Sequence, residues 1–437
     1  MRRAIAVAAS LLWGAVAGAE TLTVDQMRAF GTAAVLRGYA DQALGVADAL
    51  LGRDPGDSQA MTLRAQALRV KGDLAGSEAA ARRAWDLAGD KAERYAAATA
   101  LAQALSLQNR RTVAQYWLRQ ATQNAPNAAA QAQAMEDFAY VRGQNPLRLQ
   151  VQGSLRPSNN VNGGTREKSF YVPIFGGLDL PYLPSDRALS GQVWALGVSG
   201  TFRLRESGTV QDALTFGASG QGSVLSARSQ AAAPALRNGD FTFGQVEGGF
   251  RRKLALPGSL ITLDLTGGHS WYGGRDLADS LRGAVTLDTK LGDAVTGSFT
   301  ASVDRQVRLD RPLSSSTTYG VEGVLGVKGW KLGFNLARAV SQDAGVGNGA
   351  ATLSLDWRAD QPVMGVNLGA SAAVRFAGYA SGREDRRVSL GLSGSVQGLS
   401  YLGFSPVLSL DAARNTSSNS RFNTDTVGIG LSLTSSF

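Results

Sequence analysis

The sequence predicts an α+β multidomain protein: all-α tetratricopeptide-like helical repeats, then a transmembrane antiparallel β-barrel of about fourteen strands. Three observations predict it. Residues 22 to about 143 carry helical periodicity cut by regularly spaced breakers. From Leu147 onward the pattern has period two. The connections between those later segments alternate between short and long, as in an outer-membrane barrel.

The first element is "MRRAIAVAASLLWGAVAGAE": Arg2 and Arg3, an apolar run from Ala4 to about Val16, then Ala17-Gly18-Ala19. This is the pattern of a secretory signal, expected over residues 1–19. The apolar run is shorter than the ~20 residues of a spanning helix. The chain has no cysteine, which excludes a lipid-modified lipoprotein, a disulfide scaffold and a Cys nucleophile. Its 437 residues are 44% apolar, enough for a sizeable core, with no later apolar run near 18 residues. The net charge is +9, but Lys and Arg are scattered singly among turns and strand ends. No nucleic-acid partner is expected from that distribution.

Residues 20–145 are expected to form the helical, periplasmic domain. "ALGVADALLGRDPGD" places Ala43, Ala47 and Leu50 on one face before Pro55. "GDLAGSEAAARRAWDLAGD" does the same with Ser77, Ala81 and Ala84 before Gly89, and Gly72 marks the preceding turn. "RTVAQYWLRQATQNAPN" repeats it with Ala114, Leu118 and Ala121 before Pro126. The breakers Pro55, Gly89 and Pro126 lie 34 and 37 residues apart, near the ~34-residue period of tetratricopeptide helix pairs. Small residues let paired helices approach closely, and stacked pairs leave a concave face for an extended peptide. An irregular bundle is the alternative. "VRGQNP" (141–146) closes the last helix.

Residues 146–437 are expected to be the barrel. Strands read near 147–155, 189–203, 211–225, 240–252, 259–272, 277–290, 293–306, 316–328, 330–340, 350–358, 363–376, 385–397, 401–411 and 424–437. "GQVWALGVSGTF" separates Trp194, Leu196, Val198 and Phe202 from Val193, Ala195, Gly197 and Ser199. "AATLSLDWR" separates Ala351, Leu353, Leu355 and Trp357 from Thr352, Ser354, Asp356 and Arg358. Most strands reach the ~9–11 residues of a tilted crossing, and the number is even. Long connections (156–188, "ARSQAAAPALRNG", "VRLDRPLSS", "SQDAGVGNG", "AGYASGRE", "AARNTSSNSRFN") alternate with short ones; only the one around Gly273–Asp276 breaks the rule. A soluble sandwich has no reason to sort its loops in this way. An even count puts both barrel ends on one side, where the helical domain is expected to hang.

The final "VGIGLSLTSSF" answers the same logic. Leu431, Leu433 and Phe437 form the expected closure signal, because a strand in lipid must seal against its neighbour. An ending in Phe also resembles the recognition signal by which the barrel-assembly machinery inserts such proteins.

Catalysis is not expected. The single histidine, His269, shares parity with Leu263, Leu265 and Trp271, so it belongs on the lipid side near the rim. No metal or cofactor site is expected: one histidine and no cysteine cannot build a His/Cys site, and no Gly-rich loop precedes a helix and Lys. Asp264, Asp304, Glu322, Lys331, Asp356 and Arg358 fall on the lumen-facing parity, as a polar lining with internal ion pairs.

"LQVQGSLRPSNNVNGGT" (149–165) and "FGGLDLPYLPSDRALSGQVWALGVSGTFRL" (175–204) resemble the start of the barrel in the surface lipoprotein assembly modifier family. Pro157, Ser158, Asn160, Asn162 and Thr165 match its Pro-Ser-x-Asn-x-Asn-x-x-Thr, and Ser190 and Gly191 match the Ser-Gly before its second strand. The resemblance implies a non-enzymatic, monomeric outer-membrane translocon moving a client surface lipoprotein or secreted haem-binding-type protein from periplasm to cell surface. Its partners would be membrane lipid and that client. An exopolysaccharide export barrel with the same two-part architecture and a general porin are the alternatives.

Overall fold

In a computed structural model, residues 22–172, 178–396 and 398–435 are described. The expected signal segment 1–19 and Phe437 lie outside them. The chain divides into two compact units, the first ending at Gln144 and the second beginning at Asn145.

The first unit is a run of antiparallel helices: α1 (Val24–Leu36), α2 (Ala40–Arg53), α3 (Ser58–Lys71), α4 (Leu74–Leu87), α5 (Lys91–Leu107), α6 (Arg111–Asn124) and α7 (Ala128–Gln144). Several starts are written locally, while α2 and α6 begin without a side-chain cap. Thr23 and Gln26 form a capping box on α1, and Asp57, Asp73 and Asp90 accept backbone N–H bonds at the starts of α3, α4 and α5. Gly72 ends α3 at φ 91°, a left-handed conformation that a side chain would strain. The small residues are the joints. Ala43, Ala47, Ala81, Ala84, Ala114 and Leu118 are all buried, and Pro55 and Pro126 stand just beyond the ends of α2 and α6. Close approach is also hydrogen-bonded: Ser77 Oγ donates to the Ala65 carbonyl (2.7 Å) and Ser58 Oγ to the Ala84 carbonyl (3.1 Å).

The second unit is a closed antiparallel barrel of fourteen strands. These are β1 (Leu147–Ser158), β4 (Gly191–Glu206), β5 (Val210–Leu225), β6 (Phe243–Leu256), β7 (Ser259–Tyr272), β8 (Arg275–Lys290) and β9 (Val295–Arg308). They continue with β10 (Ser316–Val327), β11 (Trp330–Ser341), β12 (Asn348–Arg358), β13 (Val366–Tyr379), β14 (Glu384–Val396), β15 (Phe404–Ser417) and β16 (Thr424–Ser435). A short hairpin, β2 (Ser169–Val172) with β3 (Leu178–Pro181), and a one-and-a-half-turn helix α8 (Ala227–Ala232) sit in the two longest loops. β1 pairs with β4 on one side and β16 on the other, so every strand has two neighbours.

The two faces separate cleanly. Leu196, Leu353, Leu390, Leu392, Leu408 and Ile429 point outward, more than half exposed in the isolated chain. Such a girdle of aliphatic residues on a closed barrel is stable only in a bilayer, which makes this an outer-membrane barrel. The loop rhythm departs from expectation at one further place. The connection 380–383 is shorter than 359–365 and 397–403 on either side of it, because β13 and β14 continue to Tyr379 and from Glu384 into a tight hairpin with Gly382 at φ 82°.

Candidate functional site

The bore is built by register. Because strands tilt in a barrel, a row of directly paired residues climbs the wall as it passes from strand to strand. One inward row runs Lys253, Thr262, Thr286, Thr300, Glu322, Asn335, Thr352, Arg375, Arg387 and Asn415, each the Cα partner of the next. It is polar throughout, and the Thr286 and Thr300 hydroxyls are 2.9 Å apart. The next row up is small in its middle: Ala284, Ser302, Gly320, Ala337, Ala350 and Ala377 are consecutive partners. A cavity of about 1550 Å³ lies against these residues, where the wall carries the least side chain.

The charges expected in the bore are on the inward parity, but their pairing differs from expectation. Asp264 accepts a bond from Arg251 Nε at 2.6 Å. Asp304, Glu322, Lys331, Asp356 and Arg358 form no ion pair among the described residues. The Cα atoms of Lys331 and Asp356 are in register, yet the pair does not close. Of the six expected lining charges, only Asp264 is ion-paired among the described residues.

The motif residues gather at the loop end of the barrel, where the first long loop meets the last. Pro157 and Ser158 complete β1, which runs three residues beyond the strand read from sequence. Asn160 folds the loop on itself: its Nδ2 donates to the Gly164 carbonyl and its Oδ1 accepts from the Gly164 N–H, both 2.9 Å. Asn162 ties the loop to the approach to β4, donating to the Arg187 carbonyl (2.8 Å) and accepting from the Leu189 N–H (2.9 Å). Gly164 sits so close to the Arg187 carbonyl that a Cβ would collide with it. Thr165, 1% exposed, directs its hydroxyl at the Ser420 (2.7 Å) and Asn423 (3.1 Å) carbonyls of the β15–β16 loop. Ser190 meets Ser226 (2.8 Å) and Ser229 (3.1 Å) at the start of α8, and a Cβ on Gly191 would strike the Val224 carbonyl.

Residues that sequence reading did not single out complete this latch. The Arg166 N–H donates to the Asn423 carbonyl (2.8 Å), and its guanidinium to Asp425 (2.9 Å). Asn159 Oδ1 accepts from the Val427 N–H (2.8 Å). Below it the β1–β16 junction pairs Ser158 with Gly428, Leu155 with Leu431, Ser154 with Ser432 and Gly153 with Leu433. Pro157 has no N–H to give this junction. Beneath the loops, Leu189, Leu225 and Ala233 form a small apolar core with Val161, Leu236 and Phe241 against them.

His269 shares the outward face of β7 with Leu263 and Leu265. Its ring nitrogens stand 2.7 Å from Asp279 and 3.1 Å from Asp276, and its ring meets Trp271 edge to face at 4.4 Å. Both nitrogens are occupied, and the carboxylates beside it stand at the start of β8.

In the helical unit, α3, α5 and α7 line a groove of about 270 Å³, with Arg69, Gln103, Leu107, Asp137 and Tyr140 along it. Burial acts to raise the Glu78 carboxyl on α4, but Arg82, Gln108 and Arg110 outweigh it and hold the group below its ordinary value.

No family model matches the chain, and no curated protein matches it. Among solved structures the chain is similar to Acinetobacter baumannii OccAB2, at 9% identity over 65% of this chain and 97% of that one, TM-score 0.35. It is similar to Pseudomonas aeruginosa OccK10 (OpdN), at 11% identity over 67% and 99%, TM-score 0.34. The Yersinia enterocolitica type III secretion translocator chaperone SycD matches at 13% identity over 28% of this chain and 85% of that one, TM-score 0.25.

Proposed function

We propose that this chain is an outer-membrane translocon whose helical unit, on the periplasmic side, receives a client protein for export through the barrel unit. The client is a surface lipoprotein or a secreted haem-binding-type protein, as the motif resemblance implies. The observation that carries the reading is the groove along α3, α5 and α7. It is a stack of helix pairs with Leu107 and Tyr140 left exposed beside Arg69 and Asp137, a surface suited to an extended chain carrying both apolar and charged groups. The periplasm supplies no ATP and the sequence has no nucleotide-binding loop, so folding of the client outside would drive the transfer. Deleting residues 22–143 is expected to abolish surface display of a client encoded beside this gene while the barrel still assembles. Undiminished display would overturn the reading.

A second reading, a general diffusion channel, draws on the continuous polar row of the bore. It predicts steady small-solute conductance in planar bilayers that is indifferent to the helical deletion.

A further inference from the structure

We propose that Arg375 and Arg387 form an oxyanion-binding step on the wall of the bore, taking carboxylate or phosphate groups from whatever passes through it. The two are direct cross-strand partners in β13 and β14. Both are exposed, and both alternate with the outward residues Val374, Phe376 and Val388, so they face the bore. Residues directly opposite on one face have Cβ atoms about 5 Å apart, where like charges destabilise the sheet. Neither arginine has a hydrogen bond, ion pair or ring partner among the described residues.

Other barrel arginines have a carboxylate partner: Arg251 with Asp264 and Arg308 with Asp310 on the inward parity, and Arg414 with Asp425 on the outward one. Here the flanking partners in the row are Thr352 and Asn415, neutral groups that can share hydrogen bonds with a bound anion and cannot neutralise the pair. The closest inward carboxylate along β14 is Asp385, which is engaged by Arg383 at 3.3 Å. Glu322 lies three strands away along the row. Two guanidinium groups on one face with no acid directly paired to either suit an oxyanion, which each can grip with two N–H groups. Ala377 is one row up, against the large cavity, so an arriving ligand has room beside the pair.

The test uses the full chain in detergent and inorganic pyrophosphate as probe, followed by titration calorimetry at two salt concentrations. Wild type is expected to bind pyrophosphate with an affinity that falls with salt. The double variant R375Q/R387Q is expected to lose about tenfold or more, as removal of charged hydrogen bonds implies. R375K/R387K keeps the charge without the forks and is expected to bind more weakly than wild type and more tightly than R375Q/R387Q, and R282Q, altering an inward arginine elsewhere, is expected to leave binding unchanged. No binding by wild type, or equal binding by wild type and R375Q/R387Q, overturns the proposal. Competition by hexaglutamate assigns the natural oxyanions to acidic side chains of a passing polypeptide; no competition assigns them to small free solutes.

Discussion

Replacing Thr165 with Val tests whether the motif loop is a latch. The valine keeps the shape of the buried side chain and removes its hydroxyl. That removes a second donor from the Ser420 and Asn423 carbonyls, which keep the Asn423 and Arg166 N–H groups, and leaves the Glu167 N–H without the acceptor it has at 3.2 Å. A buried polar group left unsatisfied costs about 1–3 kcal/mol. Taking about 2 kcal/mol for the site, the equilibrium for opening the loop from the β15–β16 connection rises about thirtyfold, at 1.36 kcal/mol per factor of ten. The reporter is the Arg166 amide, which donates to the Asn423 carbonyl across the contact. Native-state hydrogen exchange measures its opening directly. Thr165→Val is expected to accelerate exchange at Arg166 about thirtyfold, and Thr165→Ser, which retains the hydroxyl, to leave it near wild type. Unchanged exchange at Arg166 in the valine variant would refute the reasoning, because it would mean that Asn159, Arg166 and Asp425 hold the contact without Thr165.

Three further outcomes follow from the same structure. Ala98→Leu places a large side chain at a fully buried position between Ala121 and Ala134, and is expected to cost the helical unit about 1–3 kcal/mol, read as a lower thermal midpoint at 222 nm. Burial pushes the Asp57 and Glu78 carboxyls up, but the Ala60 N–H and Arg28 for one, and Arg82, Gln108 and Arg110 for the other, hold both below their ordinary values of 3.8 and 4.5. Their stabilisation is full above those values and is lost as pH falls through the depressed folded ones, so helicity at 222 nm should fail earlier on acidification in wild type than its neutral-pH stability predicts, and Glu78→Gln should flatten that acid dependence. Leu353→Arg puts a charge on the lipid face and is expected to cost about 2–4 kcal/mol near the midplane, measured by unfolding from vesicles, while Thr300→Arg, facing the bore opposite Glu322, is expected to cost little.

What the sequence disclosed, and what it withheld, divides along the range of the interactions. The helix pairs were legible because their determinants are local: Asp57, Asp73 and Asp90 cap within three residues, and Ala43 with Ala47 or Ala81 with Ala84 share a face by simple periodicity. The strands and their inward and outward faces were legible for the same reason. The hairpin β2–β3, helix α8 and the tight 380–383 connection were not, since loop length alone says nothing of the structure inside it. The latch was half visible. Its Asn and Thr residues stood in one motif, but Asn423 and Asp425 lie more than 250 residues away and no local signal joins them. Of the charges assigned to internal ion pairs, only Asp264 found a partner, because inward parity fixes a face and not a height.

Height is a property of register, and register explains the bore. Arg375 and Arg387 stand opposite one another because each is six residues from Ser381, the centre of a hairpin turned at Gly382. That pairing costs the sheet a like-charge contact, and a shift of β14 by one residue would remove it. The shift is forbidden by the other face: it would turn Val388, Leu390 and Leu392 inward and carry Arg387 to the lipid side, at about 2–4 kcal/mol for such a cation near the midplane. The apolar band thus holds two arginines together in the bore against their own repulsion. Relief of that repulsion falls to an anion arriving from the lumen, whose own charge the arginine pair is placed to accept.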